Sequence, residues 1–283
     1  MLKYRLPSGI VMAFVMFGSV FLKGNFALVL FLILGVFLAS AGVYEYLSMI
    51  ENIGLTSYKK FTALFAGLLL VMTVLKAPAD YFAALLILSV LFAWFLLLVG
   101  DDRKKLIISS VTSISALPML ILPLYFLAEI YIGNFNSVPG KYYFLFLIVV
   151  TKIGDIGAYT VGMTSSRLMK NGNHKILPKI SPKKSWEGTI GGLCFSIVAA
   201  FVFIKIYPNI LVNGFNLYFF SLISGALLFI GGFIGDLTES SLKRGTNVKD
   251  SGKIIPGMGG ALDVIDSLLL NAPIFYIFLK LLS

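Results

Sequence analysis

The sequence predicts an all-α polytopic integral membrane protein of about nine transmembrane helices, with its N-terminus in the cytoplasm. Three observations predict it. Of its 283 residues, 58% are hydrophobic and 13% charged, about half the charged share of an ordinary soluble domain, and the mean hydropathy is +0.94. Several apolar runs reach the ~20 residues that cross a hydrocarbon core as helix. The basic residues also gather in alternate loops.

The spans fall at about 8–22, 25–50, 61–76, 81–100, 106–133, 142–165, 188–207, 217–237 and 262–282. The first is short and follows Lys3 and Arg5, as a signal peptide would, but no small-residue cleavage pattern follows it, so it counts as a span. The fifth is long and holds Pro118 and Pro123, which predicts a kink or a split. With the N-terminus inside, the cytoplasmic segments hold Lys3, Arg5, Lys59, Lys60, Arg103, Lys104, Lys105, Arg167, Lys170, Lys175, Lys179, Lys183, Lys184, Lys243, Arg244, Lys249 and Lys253. Those 17 face five outside, Lys23, Lys76, Lys141, Lys205 and Lys280. The excess sets the orientation and puts the two long loops in the cytoplasm of a cell (inner) membrane.

The net charge of +10 lies beside spans, where anionic lipid head groups explain it and nucleic acid is not needed. Cys194 is the only cysteine and His174 the only histidine. This excludes a disulfide framework and multi-histidine metal sites. Residues 1–150 read as a scaffold of nearly pure hydrocarbon spans, with possible roles in lipid or dimer contact; one polar feature there is Glu45, at the inner end of the second span. Residues 151–283 read as the catalytic region, with two motif loops. No strong internal repeat joins the halves, against a duplicated transporter.

Asp236 and Glu239 lie three residues apart at the inner end of the eighth span, and on a helix they share a face with Ser240 and Lys243. Asp263 and Asp266 repeat the spacing at the start of the ninth. Acids converging there suit Mg²⁺, which keeps waters and bridges phosphates. Helix capping explains one aspartate well, but not two on one face together with Asp236 in an apolar run. Lys243, Arg244, Lys249 and Lys253 suit phosphate, though ordinary loop charge explains Lys253 as well. Pro256-Gly257 and Gly259-Gly260 break helix and let backbone N–H groups approach an anion, or form a plain turn. Gly245 to Gly252-Lys253 is not a P-loop: six residues intervene rather than four, and Ile254 replaces Ser/Thr. In the sixth span Lys152 and Asp155 form either an ion pair or part of a functional site. Ile180-Ser181-Pro182-Lys183-Lys184-Ser185-Trp186-Glu187-Gly188 reads as an interfacial anchor or a phosphate-facing loop.

At these residues the chain resembles the phosphatidate cytidylyltransferases, or CDP-diacylglycerol synthases. Ser240, Lys243, Arg244, Lys249, Asp250, Ser251, Pro256, Gly257, Gly259, Gly260, Asp263 and Asp266 match that family's C-terminal signature. Asp155, Gly157, Ala158, Tyr159 and Ile180 to Gly188 match its upstream pattern. The resemblance covers about residues 150–270. It departs at Met258 and Val264, where the family commonly has His and often Arg, so no histidine role carries over.

The resemblance implies that CTP and phosphatidic acid give CDP-diacylglycerol and pyrophosphate with Mg²⁺, alone or with a second cation. Asp236, Asp263 and Asp266 would carry metal, and Lys243 and Arg244 would hold phosphates. Lys249, Asp250 and Ser251 would bind the nucleotide or order the loop. Lys183, Lys184 and Ser185 would serve a phosphate from the other loop. Asp155, Ser181, Glu239, Ser240, Gly257, Gly259 and Gly260 complete the expected substrate site. Membrane lipids and a second copy in a homodimer are the other expected partners. An ion-coupled transporter, a CDP-alcohol phosphotransferase and a CTP-dependent lipid kinase stay open. The first predicts acids near the bilayer centre, the second aspartates four apart, the third release of CDP.

Overall fold

The computed structural model describes residues 2–99, 102–170, 172–211 and 215–282. Gly100, the last residue of the fourth expected span, and the side chains of Lys3 and Arg5 lie outside that description. The described residues form α1 (Leu2–Phe21), α2 (Asn25–Glu51), α3 (Lys59–Val74), α4 (Ala79–Val99), α5 (Arg103–Ala116), α6 (Leu122–Ile132), α7 (Gly140–Leu168), α8 (Trp186–Ile206), α9 (Leu217–Gly245) and α10 (Ala261–Leu282). The expected all-α multi-pass architecture is present. Among the described residues six helical stretches are long and apolar enough to cross a membrane: Asn25–Glu51, Arg103–Ile132, Gly140–Leu168, Trp186–Ile206, Leu217–Gly245 and Ala261–Leu282. The other three expected spans fall on shorter apolar stretches, Pro7–Phe21 and Ala83–Phe92, and on the 16 residues of α3.

At Pro118 the long fifth span leaves the α-helical pattern, since proline lacks the N–H that continues it. The break takes the form of one π-helical turn, Leu117–Ile121, joining α5 to α6. Two small antiparallel hairpins interrupt the helices. β1 (Asn134–Phe135) and β2 (Val138–Pro139) are joined by Asn136 and Ser137, both at positive φ, the backbone that a two-residue hairpin turn needs. β3 (Lys175–Leu177) and β4 (Ser181–Ser185) fold the basic loop back on itself. His174 closes that loop: its Nδ1 lies 2.6 Å from Glu187, and its carbonyl accepts from the Trp186 N–H.

The chain forms two compact units, Met1–Glu129 with Lys243–Ile265, and Ile130–Leu242 with Asp266–Ser283. These are drawn differently from chain order, because the loop after α9 packs with the N-terminal helices. In the first unit α2 and α3 approach through small residues: a Cβ on Gly67 would meet Ser40, and one on Gly35 would meet Leu70. A polar seam ties α5 in, through Tyr46 to Ser115 at 3.0 Å and Thr56 to Ser109 at 2.6 Å.

In the second unit α7 and α8 meet along small residues spaced four apart, Gly154, Ala158 and Gly162 against Gly188, Gly192 and Ser196. This spacing lets membrane helices pack backbone to backbone. Gly231, Gly232 and Gly235 of α9 do the same for α10. A Cβ on Gly235 would sit 2.6 Å from the Asp266 carbonyl oxygen. Asn271 locks the packing, its Nδ2 donating to Thr151 of α7 and to the Leu228 carbonyl of α9, both at 2.8 Å.

Candidate active site

The close approach of α10 to α9 brings Asp266 to the pair that helical spacing sets on one face of α9. Asp236, Glu239 and Asp266 each offer a carboxylate oxygen, and these oxygens lie within 4.8 Å of one another. Glu239 is buried, and the two aspartates are half-buried. Lys184 Nζ pairs with Asp236 Oδ2 at 2.8 Å, donates to the Phe233 carbonyl and lies 4.2 Å from the centre of that ring. Lys184 is half-buried, while its neighbour Lys183 is exposed. Ser240 Oγ reaches Asp236 Oδ1 at 3.4 Å. In the same unit Lys152 bonds Ser267 at 2.9 Å and pairs with Asp155 at 3.5 Å. The i, i+3 ion pair expected of Lys152 and Asp155 is therefore made, and Ser267 joins it.

Not every residue expected here faces this group. Ser185 is buried and N-caps α8, its Oγ accepting from the Gly188 N–H at 3.2 Å. Ser181 begins β4, four residues earlier. Asp263, expected beside Asp266 as a metal carrier, is engaged otherwise, in the first compact unit. Its Oδ1 pairs with Lys243 Nζ at 2.7 Å. Its Oδ2 takes the N–H groups of Gly260 and Ser251 at 2.7 and 3.0 Å and lies 2.9 Å from Ser251 Oγ. A carboxylate reaching back from the first turn of a helix to the residue before it is half of a capping box. Ser251 supplies the other half from the preceding loop, its Oγ accepting from the Asp263 N–H at 3.3 Å.

The loop between α9 and α10 turns where glycine is required. Gly257 and Gly259 have φ of 77° and 100°, and Ile255 N donates to the Gly259 carbonyl at 3.0 Å. The N–H groups of Gly260 and Leu262, at the helix start expected to receive an anion, instead face carboxylates of the chain itself, Asp263 and Glu45. Arg244, Lys249 and Asp250 are exposed.

Glu45, which the motifs do not include, joins the loop that holds Asp263. Its Oε2 accepts from Ser251 Oγ and from Leu262 N, both at 3.0 Å. It lies more than 200 positions from either partner, outside any local motif. The available signal was a carboxylate in an otherwise apolar span.

A model of the cytidylyltransferase family matches residues 3–282. The chain belongs to the cytidylyltransferase family. Among its relatives, a phosphatidate cytidylyltransferase of Chlamydia trachomatis is 32% identical over 84% of this chain and 79% of its own length. One from Haemophilus influenzae is 44% identical over 49% of this chain and 46% of its own length. One from Bacillus subtilis is 39% identical over 51% of this chain and 49% of its own length. The chain thus spans about half the length of several relatives it matches, and most of the chlamydial one.

Proposed function

We propose that the protein transfers CMP from CTP to phosphatidic acid, giving CDP-diacylglycerol and pyrophosphate for phospholipid synthesis. The observation that carries this reading is the convergence of Asp236, Glu239 and Asp266 in a member of the cytidylyltransferase family. An all-oxygen set of three carboxylates fits a hard divalent cation such as Mg²⁺. These three residues would hold it. When bound, it would neutralise phosphate charge and orient the leaving group.

The chain's own residues do the rest. A lipid phosphate oxygen bonds to the α-phosphorus of CTP as the α–β phosphoanhydride bond breaks and pyrophosphate leaves. Phosphatidate is already anionic at neutral pH, so no general base is needed, and positioning and charge neutralisation dominate. Lys184 sets the Asp236 carboxylate. Lys243, aimed by Asp263, and Arg244 hold phosphates of lipid or nucleotide. Lys249, Asp250 and Lys183 lie exposed, where CTP can reach them. Asp263 in this reading orients a lysine rather than carrying metal.

The protein would lie in the cell membrane with nine crossings, counting the three shorter helices, its N-terminus and both motif loops in the cytoplasm. The 17 to five split of basic residues supports that orientation, and CTP is found on that side. The test is pyrophosphate release by purified protein in detergent with CTP, phosphatidic acid and Mg²⁺, each omitted in turn. Release that needs all three, with a CDP-lipid product, is expected. Release of CDP instead, or none with any lipid, contradicts the reading.

A further inference from the structure

Glu45 sits near the inner end of α2 and is 3% exposed. A carboxylate buried there is costly to keep unless it is used. Oε2 receives the Ser251 hydroxyl and the Leu262 N–H. Oε1 is buried and accepts no hydrogen bond among the described residues. The glycines of the loop are shaped around it: a Cβ on Gly252 would run into Oε1, and one on Gly260 into Oε2. The loop backbone therefore closes on Glu45 with no room for an ion or water-sized ligand at either glycine.

Ser251 Oγ stands between two carboxylates, 3.0 Å from Glu45 and 2.9 Å from Asp263, and its single proton serves one of them at a time. Glu45 thus acts on Asp263 through Ser251 and through the first turn of α10, and Asp263 in turn pairs with Lys243 at 2.7 Å. From this chain of contacts we infer that Glu45 is a positioning residue for the transfer reaction: it fixes the 251–262 loop so that Asp263 aims Lys243 at a phosphate. The inference rests on the function proposed above. Glu45 touches no reacting atom, and its effect belongs on turnover. The carboxylates assigned to the metal belong to the other group, so the Mg²⁺ requirement is left alone.

The test compares wild type with Glu45→Leu, Glu45→Gln, Glu45→Asp and Ser251→Ala, as full-length protein in detergent, by pyrophosphate release. Glu45→Leu removes both acceptors and should lower kcat about 10–100-fold, the scale of a remote misplacement of about 1 Å. Its half-saturating Mg²⁺ should stay within about twofold of wild type, because the bonds of Glu45 run to Ser251 and Leu262 rather than to the carboxylates assigned to the metal. Glu45→Gln keeps one acceptor oxygen and should recover most of the turnover. Glu45→Leu combined with Ser251→Ala should be no slower than the slower single variant, because the two share one path.

A merely structural Glu45 would lower folded yield and leave kcat per folded molecule at the wild-type value, which overturns the inference. If Glu45→Leu does not fold, Glu45→Asp decides. Its carboxylate is withdrawn by one methylene, so wild-type kcat there overturns the inference and a comparable fall supports it. If wild type itself makes no CDP-lipid, the functional reading fails, and hydrogen exchange then decides the positioning claim. Residues 249–263 should exchange at least about tenfold faster in Glu45→Asp, as local opening predicts, and equal rates overturn it.

Discussion

Asp263 and Asp266 lie one turn apart on α10, yet their surroundings have little in common. Asp266 faces two further carboxylates, Asp236 and Glu239, with oxygens within 4.8 Å. Asp263 faces donors: an ammonium, two backbone N–H groups and a hydroxyl. Clustered acids repel one another unless a cation joins them, whereas an acid surrounded by donors is already satisfied. Identical residues at a spacing that suggests one job therefore divide into two, one group suited to holding a cation and the other to holding a lysine.

That contrast can be broken by mutation, and the largest effect belongs to the carboxylate group. Asp266→Asn or Asp236→Asn should lower pyrophosphate release by about 10²–10³-fold, because several kcal/mol of charge stabilisation goes with the metal. Turnover near wild type in either variant would remove them from the site. Next, Lys243→Met should lower kcat/KM about 10²-fold, the scale of losing one preorganised donor to developing charge. Unchanged dependence on both substrates would place that lysine elsewhere. Gly252→Ala drives a Cβ into Glu45 and should destabilise the fold by about 1–3 kcal/mol, as overpacking does, read as a fall in melting temperature in detergent. An unchanged melting temperature would mean that the loop does not close on Glu45 as described. The smallest effect is expected far from either group. Asn271→Leu removes the bonds to Thr151 and Leu228 and should cost about 0.6–2 kcal/mol of stability, typical of interhelical bonds in membranes, with turnover per folded molecule unchanged. A loss of turnover greater than the loss of fold would tie Asn271 to the site.

Much of this was legible in the sequence, for identifiable reasons. The i, i+3 acid pairs of α9 and α10 were readable because helical periodicity is local. So was the meeting of Asp236 with Asp266, once two motif-bearing helix ends were assumed to converge. The break at Pro118 was readable because proline removes a donor wherever it stands, but its form as a π turn depends on how α5 and α6 pack. What separates Asp263 from Asp266 was not readable, since it depends on Ser251 and Lys243 reaching back across a loop. Glu239 was expected to converge with the aspartates but was assigned to substrate rather than to metal, because the family signature names aspartates. Ser185 caps α8, a structural use that the phosphate-like motif around it did not show. Glu45 escaped because its partners are 206 and 217 residues away. Its one local mark, a carboxylate in an apolar helix, was visible from the start.

The division of labour between the two groups is tested most directly by titrating Mg²⁺ in the pyrophosphate-release assay for Asp263→Asn and Asp266→Asn side by side. Asp266→Asn should raise the Mg²⁺ requirement at least about tenfold, as expected for a lost ligand. Asp263→Asn should lose turnover at an unchanged Mg²⁺ requirement. A shift in Mg²⁺ requirement for Asp263→Asn as large as that for Asp266→Asn would contradict that division and make both aspartates carriers of the metal.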